Sequence, residues 1–187
     1  MDEAFELLDG PPDVLVTSTG EVIQKWFEDI AAYEWQSMFD DNFFSHVYLA
    51  QEFVRRTIED EWRKYIVVVS SMSGTGYMNG SMPYCTAKAA CNMLVKGMAW
   101  ELAPKNYLVS GVAPNSLENS EMVHQIRREL TKFRGLTPQQ AFEYWSAGQL
   151  LPKRMLTDDV AKMVGVLVSG EWDFMAGEVM EARMATR

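Results

Sequence analysis

The 187-residue sequence is short of several things, and each shortage excludes a class of protein. Cysteine occurs only at Cys85 and Cys91, six positions apart on what reads as one helix. The two thiols therefore point to different sides and make neither a CxxC site nor a comfortable disulfide, so a reducing compartment, the cytoplasm, is expected. Positive charge is scarce: 17 Lys and Arg stand against 26 Asp and Glu, for a net charge of −9. With no basic run either, a nucleic-acid partner is not expected. No apolar stretch approaches the roughly 20 residues of a membrane span, and the first residues do not read as a signal peptide, so no membrane partner is expected. The two histidines, His46 and His124, are not spaced as a metal site. What remains is ordinary for a globular domain, 48% apolar and 23% charged, with no repeat or linker to divide residues 1–187.

The most informative stretch runs from Tyr65 to Leu102. The apolar, β-branched run Tyr65–Val69 reads as a strand buried on both faces, and it ends in Ser70 and Ser71. A loop with Gly74, Gly76 and Gly80 follows, then a helix beginning near Tyr84. Tyr84 and Lys88, four apart, share one helix face, and that face continues as an apolar stripe through Cys91, Val95, Met98 and Leu102. A lysine in such a stripe either snorkels to water or is used, because a buried cation is costly. The useful reading is acid–base chemistry: an ammonium one turn away favours the phenolate, and Ser71 supplies a hydroxyl for a carbonyl oxygen. The glycines spell GxGxxxG, not the GxGxxG of a phosphate cradle, and Pro83 stands between them and the helix. They are better read as a loop curling closely around a substrate.

Ser71, thirteen residues before Tyr84, followed by Tyr84-x-x-x-Lys88 after a strand and on a helix, resembles the catalytic core of the short-chain dehydrogenase/reductase family. Flanking residues extend the resemblance. Asn42 lies 29 residues before Ser71 on a long helical pattern over 31–60. On its own it is either hydrogen-bonded glue or part of a site. The resemblance makes it the asparagine that kinks the helix and holds a water linking the lysine to solvent. Strand Asp13–Ser18 runs into Thr17-Ser18-Thr19-Gly20, where the family has Asn-Asn-Ala-Gly beside the cofactor ribose; only Gly20 is kept, and alone it reads equally as a plain turn. After strand Tyr107–Val112, Pro114 matches, while Asn115 replaces a glycine and Asn119 the threonine that helps hold the nicotinamide. Asn115 is expected to keep the turn by accepting positive φ.

The resemblance implies an α/β fold, a parallel-sheet Rossmann-like domain of three αβα layers, here N-terminally incomplete because TGxxxGxG is absent. It also implies NAD or NADP as cofactor and a small-molecule carbonyl or alcohol as substrate. Tyr84 would exchange the proton, Lys88 would lower its pKa and hold the ribose, and Ser71 would polarise the carbonyl. Cofactor contacts would come from Thr19, Gly20, Tyr84, Lys88, Pro114, Asn115 and Asn119, without a metal. Residues 116–151, with helices over Glu121–Phe133 and Pro138–Ala147, read as a substrate lid or as an ordinary packed pair. A helix from Thr157 to about Ser169 and a strand over Gly177–Met180 close the pattern. A homo-oligomer is expected. A non-catalytic paralogue serving as a binding or oligomerisation module is the alternative.

Overall fold

A computed structural model describes residues 2–8, 10–147 and 154–183. The chain runs α1 (Asp2–Leu7), β1 (Val14–Thr17), α2 (Ala32–Phe39), α3 (Ser45–Thr57), β2 (Lys64–Val69), α4 (Met82–Leu102), β3 (Tyr107–Pro114), α5 (Glu121–Phe133), α6 (Pro138–Ser146), α7 (Thr157–Leu167) and β4 (Val179–Ala182). The four strands form one parallel sheet in the order β1-β2-β3-β4, as expected of an α/β chain with helical crossovers. Residues 148–151, at the end of the expected lid, lie outside the described residues.

Period-two alternation along β2 builds the three layers. Ile66 and Val68 face one side, where Phe53 of α3 and Cys91, Val95 and Leu102 of α4 pack on them. Val67 faces the other side, with Val112 of β3 and Val160 and Leu167 of α7. Lys64 begins β2 almost fully buried, and two carboxylates offset its charge: Asp13 at 2.8 Å and Asp60 at 2.9 Å. The Asp13 contact also ties the start of β1 to β2, because Asp13 immediately precedes β1.

The helical pattern expected over 31–60 is one run with a defect in it. Between α2 and α3, residues Asp40–Phe44 form a π-turn, and the Ser45 amide reaches back five residues to the Asp40 carbonyl. The Asn42 side chain donates to the Met38 carbonyl at 2.9 Å, so a side chain has entered the helical ladder there. Helix α4 begins at Met82, and Pro83 lies inside its first turn instead of separating it from the loop. Asn115 does not use positive φ; among described residues other than glycine only Asn106 does, at φ 64 in the turn that ends α4.

Strand β1 pairs with β2 alone among the described strands, and Val14 and Val16 are 38% and 43% exposed. An apolar strand edge without lysine or proline is a template for pairing. We expect the chain to self-associate through β1 and Val16→Lys to shift it toward monomer in light scattering. A wild-type monomer that resists concentration would refute this.

Candidate active site

The ends of three parallel strands converge on one cavity of about 270 Å³. Its floor is formed by Ser18–Gly20 after β1, Ser70 and Ser71 after β2, and Pro114–Ser116 at β3, at the carboxyl end of the sheet where α/β folds place ligands. Tyr84 and Lys88 of α4 line it from the side. Met122, Val123 and Ile126 of α5 and Trp145 of α6 add an apolar wall. Of the expected residues, Thr19, Gly20, Ser71, Tyr84, Lys88, Pro114 and Asn115 meet here.

Ser71 is buried at the start of a short 3₁₀ turn, where its hydroxyl accepts from the Ser73 amide at 3.1 Å, and it lines the cavity together with Tyr84. The Tyr84 ring packs in a cluster with Val22, Ile126, Leu130 and Ala141, which fixes its direction. Lys88 is 2% exposed; its Nζ donates to the Thr19 carbonyl at 3.1 Å and lies 3.4 Å from His46 Nε2.

Burial pushes the Tyr84 phenol up to about 12, opposed by the Ser71 hydroxyl. The Lys88 ammonium sits 5.9 Å from the ring centroid and is directed to Thr19 and His46, and burial brings its own pKa down to about 8. For both groups loss of hydration is the largest cause of the shift.

Asn42 does not line the cavity; it holds the loop that does. Its Nδ2 donates to the Glu21 carbonyl at 2.9 Å and its Oδ1 accepts from the Glu21 amide at 3.2 Å. Its own carbonyl accepts from the Cys91 thiol at 2.9 Å. Gly20 is glycine for a packing reason: a Cβ there would lie 2.6 Å from Asn42 Oδ1 and 3.2 Å from Lys88 Nζ. Asn119 is not brought to the site. Its side chain donates to the Thr157 hydroxyl at 2.9 Å and accepts from the Thr157 amide at 3.0 Å, so it caps α7.

The glycine loop reaches the cavity through Ser73 and Met78, while Gly74, Gly76 and Gly80 do not line it. A Cβ on Gly74 would fall 2.7 Å from the Lys88 main chain, so that glycine lets the turn after β2 touch α4. The residue that sequence reasoning passed over is His46, fully buried beside Lys88 with Nδ1 2.7 Å from the Thr17 hydroxyl. Its available signal was position: it follows Asn42 by one helical turn.

Two outcomes are expected from this geometry. Gly20→Ala should lower stability by about 1–3 kcal/mol in thermal or denaturant unfolding, because neither Asn42 nor Lys88 has room to give. Burial, with Lys88 adding, holds the His46 imidazole down at about 4. The unfolded chain therefore takes up a proton, near pH 6.5, that the folded chain refuses. Stability is retained above 6.5 and falls by on the order of 3 kcal/mol as pH drops to about 4. Unfolding curves of His46→Gln across that window should lack this component.

Residues 1–131 match the family described as short chain dehydrogenase. The chain is 28% identical over 180 residues to a 3-oxoacyl-[acyl-carrier-protein] reductase of Aquifex aeolicus, covering 96% of this chain and 66% of that protein. It is 29% identical over 180 residues to an L-2,3-butanediol dehydrogenase of Corynebacterium glutamicum, covering 96% and 69%. In structure it resembles sorbitol-6-phosphate 2-dehydrogenase of Erwinia amylovora, with TM-score 0.86 and 20% identity over 97% of this chain and 69% of that one. The actinorhodin polyketide ketoreductase solved with NADPH gives a TM-score of 0.85 at 20% identity, covering 92% and 66%. The chain thus spans about two thirds of the length of the proteins it matches. With the Ser71, Tyr84 and Lys88 pattern at the sheet's carboxyl end and a family match over 131 of 187 residues, the chain belongs to the short-chain dehydrogenase family.

Proposed function

We propose that this chain carries the catalytic residues of an oxidoreductase that reduces a small carbonyl compound, or oxidises the matching alcohol, with NAD or NADP. The observation that carries this reading is that Ser71, Tyr84 and Lys88 line one cavity. A phenol pushed up to about 12 keeps its proton at neutral pH, which suits a donor to a carbonyl oxygen. Ser71 then orients that oxygen. Lys88 has three N–H bonds and donates to the Thr19 carbonyl, which leaves N–H groups free to face the cavity. The methionines, Val123, Ile126 and Trp145 on the cavity wall favour a substrate with an apolar portion, and α5 and α6 would act as its lid.

The residues present fit the nicotinamide–ribose end of the cofactor, whose bound form supplies the hydride. Lys88, Tyr84 and the backbone of Thr19–Gly20 offer hydroxyl partners, and Pro114–Asn115 forms the opposite wall. A cavity of about 270 Å³ lies below the roughly 300–1,000 Å³ usual for a drug-sized ligand, which favours one end of a dinucleotide. The sequence has no GxGxxG to cradle a pyrophosphate. Exposed Met93 and Trp100, seven apart on α4, together with the β1 edge, favour a homo-oligomer. Cys85 and Cys91 are free, buried thiols, which suits the cytoplasm.

Calorimetry on the 187-residue chain should find NADH and NADPH bound more weakly than micromolar. In a chimera carrying the phosphate-binding half of a relative, Tyr84→Phe should cut carbonyl reduction by about 10²–10⁴-fold while leaving the fold intact. Near-wild-type turnover in that variant would overturn the assignment.

A further inference from the structure

One buried titratable group takes no part in the proposed reaction. His46 lies on α3, one turn after Asn42, and is completely shielded from water. Its Nδ1 is 2.7 Å from the hydroxyl of Thr17 on β1, and its Nε2 is 3.4 Å from Lys88 Nζ on α4. The imidazole therefore bridges the strand to the reactive helix, ending on the buried cation.

The contacts decide which ring nitrogen holds the proton. An ammonium carries three donors and no acceptor, so a ring nitrogen facing it is attractive only as a lone pair. That places the ring proton on Nδ1, where Thr17 Oγ1 can accept it. Burial holds the imidazole neutral at pH 7, which keeps the Nε2 lone pair available. The competing arrangement is an Nε2–H donated to the Thr19 carbonyl, which faces both Lys88 and His46 and already accepts from Lys88. The Cys91 thiol, pushed up to about 11, is neutral and donates to Asn42. Tyr84 presents its ring to the ammonium at 5.9 Å.

We propose that His46 is a positioning residue for Lys88: as a neutral acceptor braced by Thr17, it holds the ammonium in place and leaves one N–H for the cavity. The inference rests on reading Lys88 as the cation of the proposed reaction, but the contact can be measured without turnover. A buried ammonium that loses one of two acceptors favours its neutral form, so its pKa falls further. Thr17 acts one bond further out, by setting the tautomer.

The test is nuclear magnetic resonance on the full 187-residue chain, labelled with ¹⁵N in histidine and ¹³C in lysine. At pH 7 the His46 ring is expected as the neutral Nδ1–H tautomer, with His124 as internal reference. Lys88→Met should move the Nε2 signal toward that of an unbonded ring nitrogen. His46→Leu should lower the Lys88 titration midpoint by about half a pH unit or more, and His46→Gln, whose amide oxygen can accept, should restore it. If His46→Leu fails to fold, Thr17→Val carries the same test, with a mixed tautomer and a lowered Lys88 midpoint. An Nε2–H tautomer, an imidazolium at pH 7, or a Lys88 midpoint that ignores His46 and Thr17 overturns the proposal. A chain with these signals that still turns nothing over would count against the reaction and leave the His46 contact standing.

Discussion

A lysine ammonium buried between a helix and a sheet, with neutral acceptors in place of a carboxylate, is the constraint around which this molecule is arranged. Lys88 is 2% exposed, and its Nζ meets the Thr19 carbonyl and the His46 ring. Contrast Lys64, equally buried, which has Asp13 and Asp60 within 2.9 Å and serves as a strand tie. A cation paired with carboxylates is electrostatically spent. One held by dipoles keeps its charge available, at the cost of a pKa drawn down to about 8.

Holding an ammonium by dipoles requires that those dipoles stay put, and much of the surrounding structure does this. The Thr19 carbonyl belongs to a loop clamped at Glu21 by both polar atoms of the Asn42 side chain. Asn42 can reach the loop because the helix widens into a π-turn at 40–44, and Cys91 of α4 closes that turn by donating to the Asn42 carbonyl. Gly20 completes the contact by having no side chain where Asn42 and Lys88 must sit. Three segments far apart in the chain thereby fix one nitrogen. The same packing buries Tyr84 so thoroughly that its phenol is harder to ionise.

Family membership and local divergence fit together in this picture. The serine, tyrosine and lysine stand in family spacing at the carboxyl end of a parallel sheet. Around them, Thr17 and His46 form a bridge to the lysine, and Asn119 caps α7, with the Asp159 carboxylate bonding the Leu156 amide beside it. Residues that keep their chemistry while changing their partner are difficult to assign from position alone.

What the sequence determined by itself was everything set by short-range periodicity. The apolar run before Ser71 marks β2, the four-residue step puts Tyr84 and Lys88 on one face, and the helix Glu121–Phe133 ends where its pattern ends. Those features depend on neighbours within a turn or a pleat, so they can be read along the chain. Only the tertiary structure decided that Asn42 grips Glu21, that Asn119 serves α7, that Gly74 packs on α4, and that His46 faces Lys88 across 42 positions of sequence. The ionisation of Tyr84 and Lys88 belongs to that second group as well. Spacing states that two groups are near, but only packing states how much water each has lost, and here lost hydration is the larger effect.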